Sequence, residues 1–178
     1  MAGASVTRVV RRCEEAKADG RLDLSSCELT SFPVAVYQLL RNTEVLSCSL
    51  NNNLLKVLPK SICAKFPHLQ ELQLSGNQLT SLPAELQQLR ELRRLDVSHN
   101  RFSIFPEAVF QLPALVTLNA SSNAIVAVDA ERFSRMEALA DVDLQQNPLA
   151  EAVHSAAGGL SRPRVRLSPW QEHFQDME

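Results

Sequence analysis

Residues 45–79 decide the reading. Val45-Leu-Ser-Cys48-Ser-Leu50-Asn-Asn-Asn53-Leu-Leu55 is followed by Leu69-Gln-Glu-Leu72-Gln-Leu74-Ser-Gly-Asn77-Gln-Leu79, the same frame shifted by 24 residues. An apolar side chain stands eight, five and three residues before each asparagine and two after it. The frame returns around Asn100 (Leu92, Leu95, Val97, Phe102), Asn123 (Leu115, Leu118, Ala120, Ile125) and Asn147 (Leu139, Val142, Leu144, Leu149), at further spacings of 23, 23 and 24. One more copy comes first, Leu22-x-Leu24-x-x-Cys27-x-Leu29, with cysteine in the asparagine place. In the first four copies an apolar-proline pair follows: Phe32-Pro33, Leu58-Pro59, Leu82-Pro83 and Phe105-Pro106. Six copies in one register mark a chain built by stacking a single supersecondary unit.

The chemistry of the frame specifies that unit. Residues five and three before the register point alternate with polar neighbours, the period of a strand with one buried face. The later pairs Val36 and Leu39, Leu86 and Leu89, Val109 and Leu112 are spaced as in a helical turn. One unit cannot bury its own apolar stripe, whereas stacked units share a continuous core. Six strands at about 4.8 Å predict a parallel sheet about 24 Å wide, curved with the strands inside. The asparagine amide, both donor and acceptor, suits a backbone that turns away from the sheet. Cys27 cannot serve that way as well, but it stands near the end of the stack, where fewer backbone groups are trapped.

The pattern LxxLxLxxNxLxxLP over residues 21–149 resembles the intracellular, plain-repeat branch of the leucine-rich repeat family. The resemblance implies an α/β fold: a short right-handed horseshoe solenoid with a parallel sheet on the concave face and short helices or turns on the convex face. It also implies a protein-interaction scaffold that uses the concave face, with no catalytic residue to carry over. The expected organisation is a capping helix at 1–20, six repeats at 21–149, and a C-terminal cap and partly disordered tail at 150–178.

Composition agrees with a single globular unit. Apolar residues make up 45% of 178, and 18 basic against 20 acidic side chains leave a net charge of -2. That balance lacks the basic excess of a generic nucleic-acid binder. No stretch is apolar for the eighteen or so residues of a membrane span, and the amino terminus lacks the apolar core of a secretory signal. Cys13, Cys27, Cys48 and Cys63 contain no CxxC pair, and the middle two fall on core positions, so reduced thiols and a cytoplasmic location are expected. Val6, Val9, Val10, Cys13 and Ala16 share one helical face, and Asp19-Gly20 offers a helix stop. A basic amphipathic helix of this kind suits a membrane or a targeting signal. It equally suits a cap over the first repeat, which any solenoid requires and which is the expectation here. Past Leu149 the frame stops; Arg162, Arg164 and Arg166 could meet an acidic partner but read as a solvated segment, and Trp170 as a residue that can fold back onto the last repeat.

Catalytic and cofactor motifs are not found: there is no GxGxxG, GxxxxGK[ST], HExxH or GxSxG. Asp96, Ser98 and His99 are close in sequence, but a triad needs the histidine between the other two, and His99 lies past the strand end. His68, His154 and His173 are isolated, so neither metal nor cofactor is expected. Asn119-Ala-Ser121 is a glycosylation sequon, irrelevant in the cytosol.

The register also assigns the concave face: positions −6, −4, −2, −1 and +1 from each register residue. These rows are small and polar. At −6, −4 and +1 they hold Arg21, Arg94 and Arg101 against Asp23, Glu28, Glu71, Asp96, Asp141 and Asp143, an acidic excess of three that disfavours nucleic acid. Large or multi-donor groups cluster mid-stack, so a protein partner is expected to meet Glu71, Gln73, Arg94, Asp96, His99, Arg101 and Asn119. A competing account pairs Arg94 and Arg101 with Asp96 and Glu71. The chain is then a monomeric, non-enzymatic adaptor; a structural subunit docked by an edge or by the C-terminal tail is the alternative, and a catalytic or enzyme-targeting role comes last.

Overall fold

The structure is a computed structural model that describes residues 3–169, with side chains from Val6 onward. Helix α1 (Gly3–Asp19) ends where Gly20, at φ 71°, donates to Ala16 O over 2.9 Å. A Cβ at Gly20 would lie 2.5 Å from Glu44 O, so glycine is required there. Seven three-residue strands follow: β1 (Arg21–Asp23), β2 (Ser47–Ser49), β3 (Glu71–Gln73), β4 (Arg94–Asp96), β5 (Thr117–Asn119), β6 (Asp141–Asp143) and β7 (Arg164–Arg166). They form one open parallel sheet in chain order. The register pairs Leu22, Cys48, Leu72, Leu95, Leu118, Val142 and Val165, so the −5 position of each repeat stacks on that of the next.

The proline pairs explain the convex side. Pro33, Pro59, Pro83 and Pro106 each accept a bond from the amide three residues on, at 3.0–3.1 Å, which starts a short helical turn. These turns are α2 (Ala35–Leu39), α3 (Ser61–Lys65) and the 3₁₀ turns Ala84–Gln88 and Glu107–Gln111. Asp129 and Ala150 play the same part without proline, ahead of a 3₁₀ turn at Ala130–Arg135 and of α4 (Glu151–Gly158). The core runs the length of the stack as one cluster of frame residues, broadened on the convex side by Phe105, Phe110 and Phe133 in mutual ring contact.

Asn53 shows what the register asparagine does. Its Oδ1 accepts the amides of Cys27 and Leu29 at 3.1 and 3.0 Å, and its Nδ2 donates to the carbonyls of Leu24 and Leu50, both at 2.9 Å. Each asparagine therefore satisfies backbone of the preceding repeat as well as its own. Cys27 is tolerated for a reason the sequence reading states only in part: no repeat stands before it to be served. Its own strand is served from α1. Arg12 Nη1 donates to Asp23 O and Ser25 O at 2.9 and 2.8 Å, and Arg8 Nη1 to Ser26 O at 2.8 Å. Val9, Cys13 and Ala16, on the adjacent face of the same helix, are buried.

The sheet is one strand wider than the six expected, about 29 Å at the usual spacing. Val165 and Leu167 keep the −5 and −3 positions, but Arg162 replaces the apolar residue at −8 and Trp170 the asparagine, so the frame is too degraded to be recognised. The expectations of a disordered tail and of Trp170 folding back fall on 170–178, outside the described residues.

Candidate functional site

The concave surface is built by strands that contribute two outward side chains each and by the turn after them. Each of β1 to β6 leaves the sheet through a −1 residue in the left-handed region: Ser26, Asn52, Gly76, His99, Ser122 and Gln146, with φ between 51° and 69°. At Gly76 a Cβ would lie 2.5 Å from Asn52 Oδ1, so glycine is there for space as well as conformation. The other five pay a small conformational cost that the neighbouring ladder holds in place.

All seven expected residues lie on this face, and the geometry separates them into two kinds. Asp96 Oδ1 accepts from Ser98 N and Ser98 Oγ at 2.9 and 2.6 Å; Asn119 Oδ1 does the same with Ser121, at 3.1 and 2.8 Å. Asp23 is tied to Ser25 and Asp143 to the amide of Gln145. Four of the six −4 residues, Asp23, Asp96, Asn119 and Asp143, therefore form side-chain turns that end their strands. At Asp23 burial pushes the carboxyl upward, but the Ser25 hydroxyl and amide and the Arg12 guanidinium outweigh it and hold the group below its ordinary value. Gln73 Oε1 accepts from Asn51 Nδ2 at 2.9 Å. These groups are committed to the scaffold.

The rest face outward. Arg94 Nη1 bonds Glu71 Oε1 across the strands at 3.1 Å, as the competing account requires, yet the Arg94 side chain remains 69% exposed. Arg101 does not take the other half of that account: it is exposed, and its backbone amide bonds Leu79 O. His99 is exposed beside it. Ser98 is 3% exposed, its hydroxyl within 2.9 Å of Ser75 Oγ as well as bonded to Asp96, so it is no accessible nucleophile. Among the described residues no group of histidines, cysteines and acids is arranged to hold a metal. All four cysteines are buried; burial, then nearby carboxylates, push the thiols of Cys48 and Cys63 up to about 12 and about 11.

The sequence reading names the arginines of β7 but leaves them off the concave face. Arg164 and Arg166 stand in register with Asp141 and Asp143, and Arg166 reaches both carboxylates at 3.4 and 3.5 Å. The concave face thus carries five arginines against six carboxylates, an acidic excess of one in place of three, and Arg166 is part of a charge pair, not a solvated segment. The signal was the alternation Arg-Val-Arg, which copies the Asp-Val-Asp of β6 with charges reversed.

A model for the leucine rich repeat matches residues 47–102. Leucine-rich repeat-containing protein 20 of Mus musculus is 40% identical over 171 residues, covering 94% of this chain and 93% of its own length. The chain belongs to the leucine-rich repeat family. Among solved structures, a leucine-rich repeat protein of Leptospira interrogans is similar, with 27% identity and a TM-score of 0.58, over 79% of this chain and 40% of that one. A leucine-rich repeat protein of Bacteroides thetaiotaomicron shares the fold, at 20% identity and a TM-score of 0.65, over 73% of this chain and 17% of that one. The horseshoe expected from the repeat frame is therefore the fold. No helix of the described residues is long and apolar enough to cross a membrane.

Proposed function

We propose that the chain is a non-enzymatic scaffold or adaptor that holds a partner protein on the middle of its concave face. Leucine-rich repeat proteins generally mediate protein–protein interactions, which supports the class. The observation that carries the position is the division of the concave polar groups. Where most of the −4 row is held in its own turns, Arg94, His99 and Arg101 of one repeat stay exposed with donors to spare. A guanidinium gives bidentate pairing with a carboxylate, so the partner presents acidic side chains to this repeat.

The test is affinity capture with the full chain and with an Arg94→Glu, Arg101→Glu variant of unchanged thermal unfolding. The parent captures a partner that is released as salt rises, and the variant loses it. An identical capture profile for the two proteins removes the site from repeat four. Docking through a flank is the second reading, favoured by Val57, Ile104 and Val126, which are 67, 77 and 52% exposed where the chain leaves the strands. A salt-insensitive partner would support that reading instead.

A further inference from the structure

The two ends of the sheet are finished differently. At β1, the frame residues Leu22 and Leu24 are fully buried beneath α1, and Arg8 and Arg12 take up the outer carbonyls. At β7, the equivalent Val165 and Leu167 are only half-buried, and among the described residues β7 is the last strand of the sheet. Arg164 N donates to Ala140 O at 3.0 Å and Arg166 O accepts from Leu144 N at 2.9 Å, so these two residues face β6. Strand alternation then turns the amide and carbonyl of Val165, between them, to the open side.

From this edge we propose a second interaction surface, which takes an extended peptide of a partner protein with the alternation acid–apolar–acid and adds it to the sheet beside β7. The template is in the fold. On its inner side β7 already pairs with Asp141-Val142-Asp143: the valines stack in the core and the carboxylates meet Arg166. A strand of the same pattern on the outer side buries its apolar residue against Val165 and places its acids beside the exposed Arg164. Backbone bonds to Val165 supply affinity and the alternate side chains supply selectivity. Charge decides between occupants. A second copy would bring its own Arg162, Arg164 and Arg166 against these three, and charged edges of this kind prevent self-pairing. A separate acidic strand does not meet that repulsion. The chain's own end, Asp176-Met177-Glu178, carries the same alternation and is the rival occupant.

The test uses the full chain and a short labelled peptide of alternating glutamate and valine, followed by fluorescence anisotropy. The expected result is binding that an alternating lysine–valine peptide does not show and that N-methylation of the peptide's glutamates, whose amides face Val165 O in a parallel ladder, weakens by at least about tenfold. Arg164→Glu weakens it by about tenfold too, the change of about 1.4 kcal/mol set by losing one charge pair and gaining a repulsion. Arg94→Glu, Arg101→Glu leaves it unchanged, which separates this edge from the concave site. Equal binding of the N-methylated peptide would show mere charge attraction and overturn the proposal. Binding seen only after Asp176→Lys, Glu178→Lys would show that the chain's own terminus holds the edge, and would overturn it equally.

Discussion

Replacing Asn53 by alanine tests the ladder that joins one repeat to the next. The side chain is 4% exposed and serves four backbone groups at 2.9–3.1 Å, the amides of Cys27 and Leu29 and the carbonyls of Leu24 and Leu50. A buried donor left without a partner costs about 1–3 kcal/mol, and the carbonyls lose less because each has a second lone pair. Water entering the vacated space recovers part of the loss. The net expectation is about 3 kcal/mol, a large share of the ~5–15 kcal/mol that keeps a domain folded. Urea unfolding followed by circular dichroism measures it, with an unchanged slope showing that the same surface is exposed. Asn100→Ala should cost less, about 1–3 kcal/mol, because Asn100 is only half-buried and not fully enclosed as its place mid-stack suggests. Asn53→Asp adds a distinct signature. It keeps the acceptor but aims a carboxylate at two carbonyl oxygens, which raises the folded-state pKa above about 3.9. The variant then gains stability relative to the parent as pH falls toward that value, because the protonated acid donates again. An Asn53→Ala protein within about 0.5 kcal/mol of the parent, or one less affected than Asn100→Ala, refutes the assignment.

Arg12→Ala leaves Asp23 O and Ser25 O without their donor and should cost about 1–2 kcal/mol; hydrogen exchange should quicken in α1 and β1 and stay unchanged at β5 and β6, since repeats feel chiefly their neighbours. Cys48 and Cys63, with thiols pushed up to about 12 and about 11, should resist alkylation at pH 8 until the chain unfolds. Their folded-state pKa values exceed those of the unfolded chain, so the stability they contribute is present below about pH 9 and lost as pH rises toward 12; a urea midpoint that holds steady from pH 9 to 11 would contradict this.

What could be read from the sequence follows from where its constraints lie. Leu72, Leu74, Asn77 and Leu79 are enclosed by a repeat on either side, so only side chains of one size and one bonding capacity fit. That enclosure is why a single chain shows its own fold by comparison with itself. On the concave face the same logic hides a distinction. Asp96 and Arg94 both read as exposed charge, yet Asp96 is bound into a local turn with Ser98, and only the bonds reveal it. At the ends the constraint is halved. Cys27 has no preceding repeat to serve, so asparagine is not demanded there, and among the described residues no repeat is stacked on β7. Arg8 and Arg12 look like a basic helix face and in fact complete the ladder for β1. Repeat periodicity thus marks the residues that hold the stack together and fades wherever a side chain answers to something other than another repeat. The exposed cluster of repeat four and the open edge of β7 are the places where that other demand is found.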